Sequence, residues 1–580
     1  MGANHDISPA RRRRSASRRA ALAVAVLPFA GALALTAAHP AGAPAQRPAD
    51  DDTAPLAPYY NQSVSWNDCG HAVAEAEKKA GRKAPAYLER LQCSRVKVPR
   101  DYAATDRGDL HLAVARLRAT GPEDERIGSL VLNFGGPGES GVEGLAGLGA
   151  KFAKLNERYD VVAHDPRGVG ESSPVRCARP TARQTKSLDR SPDDRTEADR
   201  LAAYHRLQGR LCEEDSAQLL PWVGTVDSAR DLDVLRATLG EDKLTYMGFS
   251  YGTKLGADYL HHYPDKAGRI VLDGVEDPLK DSRQTYLANA HAFQRALDDF
   301  TDDCTKRGAS KCPLGGDPSA AKKEIRQLFD LLDGREIETA AGVLDQTTFV
   351  DALTNAMYTT ELWPDLRRAL TALGNGNGAP LVRLAGGAGG AGAPGSAVPG
   401  AVVPGAVVPG AVVPGAVLPG SVVPGSGVPG SGAGISQRGG EDNADAAFTA
   451  VTCRDTSDRY TAADVEAARP EFTKASPVFG TFMAGQLLTC TGWPVPGDND
   501  SRRVRATDAP AALLVATTGD PATPYKGGAD MAKALGNDSV VLTYQGDGHT
   551  GYITGNDCVD GNVDRFLFEG NLPREGTRCG

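Results

Sequence analysis

The stretch YMGFSYGTKLG, Tyr246 to Gly256, sets Ser250 between Gly248 and Gly252 in the spacing G-x-S-x-G. An apolar run leads into the serine and a helical pattern leads out of it. In that context small neighbours let the backbone bend sharply, and the serine hydroxyl projects from the turn as a nucleophile. The helix that starts there also turns backbone N–H groups toward developing negative charge. With 67 glycines in 580 residues, the bare pattern arises easily by chance. Acyl transfer needs further groups, and the sequence has to supply them in a workable order.

It does. A tetrahedral intermediate needs two N–H donors for its oxyanion. One is expected from Tyr251, directly after the serine; the other should come from a glycine-rich loop after an earlier strand. NFGGPGESG, Asn133 to Gly141, occupies that place, and Gly135 and Gly136 allow close backbone approach. GDPATP puts Asp520 straight after the apolar run Ala511–Thr518, and GDGHTGY puts His549 after Ser539–Tyr544. The order is Ser, Asp, His, with the last two expected at the carboxyl ends of strands. His549 would take the Ser250 proton and pass it to the leaving group, and Asp520 would fix the imidazole tautomer. Asp547 is the competing acid, but two residues before His549 it is badly placed to reach Nδ1. His261 and His262 fall on the helix after the serine and are expected to be partly exposed.

These groups must be held by strands and helices in alternation. Leu110–Leu117, Ser129–Phe134, Tyr159–Asp165, Leu244–Phe249, Arg269–Gly274, Ala511–Gly519 and Ser539–Gly546 read as strands. Val226–Gly240 and the residues after Ser250 read as helices. The pattern predicts an α/β fold, a mostly parallel sheet with flanking helices. The gap between Leu279 and Thr507 is too long for a loop and carries helical patterns. We expect a mainly helical inserted cap domain at 279–507, between core segments 46–278 and 508–580. Within the insertion, 385–440 is a Pro-Gly repeat of five-residue period, clearest from Ala397 to Gly432, whose prolines exclude a regular helix. It reads as a flexible insertion.

A net charge of −9 excludes the basic footprint of a nucleic-acid binder. The one dense basic run, Arg11–Arg19, precedes an Ala-rich apolar segment and a small-x-small site ending at Ala45. Residues 1–45 therefore read as a signal peptide, of the general or the twin-arginine type, and the protein as secreted, with no stable membrane insertion. Ten cysteines without C-x-x-C spacing fit disulfides better than metal sites. Neighbour pairing is the simplest connectivity: Cys69–Cys93, Cys177–Cys212, Cys304–Cys312, Cys453–Cys490 and Cys558–Cys579. No metal or cofactor is called for, and a monomer is expected.

GGPGESG, HDPRGVGESS (His164 to Ser173), GFSYGT, VLDGVEDP, GDPATP and GDGHTGY together resemble the secreted tripeptidyl aminopeptidases of actinomycetes. These are α/β-hydrolase serine exopeptidases related to proline iminopeptidases. The resemblance spans roughly 60–380 and 440–580. It implies the α/β-hydrolase fold, a triad of Ser250, Asp520 and His549, and oxyanion donors at Gly136 and Tyr251. Two departures stand out. Phe134 replaces the histidine of the iminopeptidase HGGPG, and the Pro-Gly repeat is foreign to the family. An exopeptidase must also pair the substrate's α-ammonium with a carboxylate. Glu139 and Glu276 are the leading candidates, with Asp277 and Glu361 behind them. The expected activity is release of short peptides, tripeptides by resemblance, from peptides with a free amino terminus. An extracellular carboxylesterase with the same triad is the alternative, since fold and triad do not fix the leaving group. A non-catalytic surface protein displaying the repeat is the third reading.

Overall fold

A computed structural model of the chain describes residues 54–79, 83–181, 188–386 and 443–580. The expected signal peptide and positions 387–440 of the Pro-Gly repeat lie outside the described residues.

Ten strands form one sheet: β1 (Asn67–Asp68), β2 (Leu91–Pro99), β3 (Asp109–Leu117), β4 (Gly128–Asn133), β5 (Tyr159–His164), β6 (Leu244–Phe249), β7 (Ala267–Asp273), β10 (Leu513–Gly519), β11 (Val540–Asp547) and β12 (Arg578–Cys579). Their spatial order is β1-β2-β3-β5-β4-β6-β7-β10-β11-β12. The first three strands and the β3–β5 pairing are antiparallel. From β5 to β12 every pairing is parallel. The sheet is thus α/β and mostly parallel, as the alternation implied. The sequence reading lacked β1, β2 and β12. β1 and β12 are two residues long, and β2 mixes Arg95 and Lys97 into its apolar run.

β4 and β5 are buried along their whole length, the expected state of parallel strands covered on both faces. Alternation sorts their side chains. Leu130, Leu132, Val161 and Ala163 enter one hydrophobic cluster, whereas Val131 and Val162 enter the cluster on the opposite face. Each such side chain contributes about 1.5–3 kcal/mol when fully buried.

Between β7 and β10 the regular elements among the described residues are helices apart from a hairpin of β8 (Ile337–Thr339) and β9 (Gly342–Leu344). They share a third hydrophobic cluster, with Phe293, Phe300, Phe349 and Phe479 among its buried members. Two helices pack across the expected boundaries. Helix Arg195–Ser216 puts Ala198, Leu201 and Ala202 into this third cluster. Helix Ala444–Asp455 puts Ala450, Val451 and Cys453 into a sheet-side cluster. All five neighbour pairs of cysteines are disulfides. No helix among the described residues is long and apolar enough to cross a membrane.

Candidate active site

Ser250 sits between β6 and the helix Tyr251–His262 with φ 55° and ψ −122°. A non-glycine residue there costs on the order of 1–3 kcal/mol, a strain that clusters at functional sites. The flanking glycines are dictated by contact. A Cβ on Gly248 would lie 2.2 Å from the Gly252 carbonyl oxygen, and one on Gly252 2.7 Å from Asn133 Oδ1. The Ser250 N–H donates to the Asp273 carbonyl at 2.9 Å, which ties the turn to β7.

The Asn133–Gly141 loop presses on this turn from β4. Gly135 and Gly136 have φ of 101° and 100°, and a Cβ on Gly135 would stand 3.0 Å from Ser250 Cβ. Asn133 Oδ1 accepts the Gly135 N–H at 3.0 Å. Tyr251 is the first residue of its helix, where backbone N–H groups lack intrahelical acceptors. Phe134 is buried and stacks on Phe249 at 6.1 Å, so it serves the core beneath the loop. The HDPRGVGESS segment holds the loop from the other side. Asp165 accepts from the Ser140 hydroxyl at 2.7 Å and from the Val142 N–H at 3.1 Å. Arg167, fully buried, pairs through two nitrogens with Asp231. Breaking such a buried pair typically costs 3–5 kcal/mol, on the order of a marginal domain's whole stability.

Asp520 follows β10, His549 follows β11, and both are buried. Both Asp520 oxygens lie 2.9 Å from His549 Nδ1. The carboxylate also accepts N–H groups of Ala522 (2.9 Å), Thr523 (2.8 Å) and Thr550 (3.2 Å), and the Thr523 hydroxyl at 2.9 Å. With that many donors, Asp520 has no freedom to turn away. His549 Nε2 is buried with no hydrogen-bond partner among the described residues. Burial opposes the imidazolium. The Asp520 carboxylate, with Asp273 and Glu276 adding to it, outweighs burial and raises the His549 pKa above its ordinary value. Asp547 ends β11 and makes no hydrogen bond to His549. His261 is half-buried on the nucleophile helix and bonds the Arg505 carbonyl, while His262 stands near Asp258.

Several contributors escaped the sequence reading. Asp273, at the end of β7, is fully buried and accepts the N–H groups of Gly551 and Tyr552 at 2.8 Å each. It anchors the loop that carries His549. Burial pushes its carboxyl up to about 7 despite those donors. Tyr358, from the helical layer, accepts the His549 N–H at 2.8 Å and meets the imidazole edge-on at 5.4 Å. The VLDGVEDP motif was the one signal that could have drawn attention to Asp273; Tyr358 left none.

A cavity of about 210 Å³ opens between the sheet and the helical layer, with Ser250, Gly136 and Tyr251 at its floor and Tyr286, Phe293 and Phe482 opposite. Of the candidate acids, Glu139, Glu276 and Asp277 line it. Asp277 is already bound to Lys280 at 2.6 Å. Glu361 is exposed and lies outside the lining. Burial raises the Glu276 carboxyl above the usual range, with Lys254 pulling the other way.

A family model described as "alpha/beta hydrolase fold" matches residues 128–353, and one described as "TAP-like protein" matches 476–579. Serine protease Hip1 of Mycobacterium tuberculosis is 31% identical over 90% of this chain and 92% of the relative. The chain belongs to the α/β-hydrolase family. Within that family it is a serine hydrolase. Carboxylesterase B of Mycobacterium tuberculosis is 30% identical over 97% of this chain and 99% of that protein. Tripeptidyl aminopeptidase of Streptomyces lividans is 28% identical over 99% of this chain and 98% of that protein.

Proposed function

We propose that the protein is a secreted serine aminopeptidase that releases short N-terminal peptides, tripeptides in the pattern of the Streptomyces relative. The observation that carries this reading is the buried His549, held at Nδ1 by both oxygens of Asp520, together with the strained Ser250, which lines the cavity. His549 Nε2 accepts the Ser250 proton as Oγ attacks the scissile carbonyl. The N–H groups of Gly136 and Tyr251 receive the oxyanion. His549 then protonates the leaving amine, and water, deprotonated by the same nitrogen, releases the acyl product. Acyl transfer by these groups uses no metal.

The exopeptidase part of the reading rests on the helical layer acting as a cap over Ser250 and on Glu276 as the ammonium anchor. A closed pocket ending in a carboxylate accepts a cationic amine and rejects an acylated one, which leaves the carboxylate desolvated and unpaired. Five disulfides fit an extracellular protein. The substrate is met by a monomer with no cofactor and no nucleic-acid partner. The carboxylesterase relative keeps the esterase reading alive, since the same triad would serve it. A panel of one tripeptide anilide, its N-acetylated form and short acyl esters decides. We expect N-acetylation to lower kcat/KM at least ~100-fold, equivalent to about 2.7 kcal/mol of transition-state binding. Equal turnover of the two peptides would reject the aminopeptidase reading.

A further inference from the structure

Among the charged groups that line the cavity without a part in acyl transfer are Lys254 and Asp455. Lys254 lies four residues beyond Ser250 on the same helix, one turn along. Asp455 comes from a distant stretch, the last residue of helix Ala444–Asp455. Lys254 Nζ donates to Asp455 Oδ2 at 2.6 Å. Asp455 is itself fixed, accepting the Thr225 N–H at 2.8 Å and the Thr225 hydroxyl. That hydroxyl also meets the Tyr251 hydroxyl at 2.7 Å.

Glu276 shares this corner. Its N–H donates at 3.0 Å to Thr253 Oγ1, the residue before Lys254. Lys254 is influenced by both carboxylates, Asp455 and Glu276, yet its hydrogen bond goes to Asp455. The other cations of the cavity are also taken, Lys280 by Asp277 and Arg502 by Asp458. Among the described residues Glu276 has no ion-pair partner. Its carboxyl lines the cavity.

We propose that Asp455 is a positioning residue for substrate selection: by tying down Lys254 it keeps Glu276 available for the substrate's α-ammonium. The inference rests on the aminopeptidase reading above. An ammonium on a lysine and one on a peptide terminus are the same chemistry, and the lysine is tethered. A group held on a short flexible link competes at an effective concentration in the millimolar range. If Asp455 lost its charge, the buried Lys254 would need another anion. Two other carboxylates act on it, Glu276 and Asp258; Glu276 lines the cavity, whereas burial pushes the Asp258 carboxyl up to about 8. Counting charges leads to the same place. With all three ionised, Lys254, Asp455 and Glu276 together carry one negative charge, which the substrate ammonium neutralises. With Asp455 neutral the trio carries none, and the incoming ammonium has no counterion.

The test measures kcat and KM of the full-length enzyme with one tripeptide anilide and its N-acetylated form. Asp455→Asn should lower kcat/KM for the free amine at least ~10-fold, mainly through KM, with little change for the acetylated peptide. The double variant Asp455→Asn/Lys254→Met removes the competitor as well, and its discrimination ratio should return to within about threefold of the unmodified enzyme. A purely structural role for Asp455 predicts no such rescue. If Asp455→Asn keeps the unmodified ratio, the proposal is wrong. Should that variant fail to fold, the double variant alone decides, because a lost ratio there means that Lys254 and Asp455 act on substrate directly. If the unmodified enzyme does not discriminate at all, the aminopeptidase reading fails first, and the assay separates the two failures.

Discussion

The floor of the cavity and its charged corner are built on different principles. The floor is made of backbone: Ser250 in a strained turn, two glycines that nothing larger could replace, and a loop pressed against them within van der Waals distance. Its parts come from short motifs at the ends of adjacent strands. The charged corner is made of side chains from four separated stretches, at Thr225, Lys254, Glu276 and Asp455, and no short motif contains it. Bond-making geometry is thus written locally, while the choice of substrate depends on which charges the fold happens to pair. Substitutions on the floor should destroy turnover for all substrates, and those in the corner should redistribute it among substrates.

The largest effect expected is from Ser250→Ala, which should lower hydrolysis on the order of 10⁶-fold for every substrate and abolish labelling by a fluorophosphonate probe. Its melting temperature should change little, and retained turnover would place the nucleophile elsewhere. Asp520→Asn should cost on the order of 10⁴ in kcat by giving His549 the wrong tautomer. A loss under tenfold would hand the orienting role to another acid, with Asp547 the first to try. Glu276→Gln belongs to the other region. We expect it to lower discrimination between free and N-acetylated peptides by about tenfold or more while sparing the acetylated one. An unchanged ratio would transfer the anchor to Glu139 and end the contrast in its present form. The smallest effect is on pH. His549 must be neutral to act as base and its pKa is raised, so the rising limb of kcat/KM should lie above about 6.5, the ordinary imidazole value. Asp273→Asn removes one of the carboxylates that raise it and should move the limb to lower pH. A limb below 6.5 in the unmodified enzyme would mean that burial, not Asp520, governs the group.

The same division explains what the sequence disclosed. Strands β4 to β7 and β10 announce themselves because parallel strands covered on both faces must be continuous apolar runs. Ser250, Asp520 and His549 stood out because each follows a strand directly. Two-residue strands carry no periodicity, so β1 and β12 were invisible. Helix Arg195–Ser216 was hidden differently: its pattern shows an apolar face but not which layer that face meets. Lys254 looked like an ordinary helix residue. Its partner lies 201 positions away, and an ion pair at that separation has no signature in spacing. Asp273 was read as the end of a strand, and only the fold turns its carboxylate toward the His549 loop.

Two hydrogen bonds tie the helical layer to the triad, and one of them, beside that from Arg295 to the Asp520 carbonyl, is of greatest consequence. The backbone of His549, which belongs to the sheet, is held by the carbonyl of Tyr358, which belongs to the helical layer. Any motion that lifts that layer from the sheet must either break this link or drag the imidazole with it. Opening the chamber and arming the serine are therefore opposed. With the layer lifted, the proton acceptor would lose its seat. With the layer in place, the acceptor is seated. A link of this kind makes the readiness of the serine depend on how the helical layer sits on the sheet.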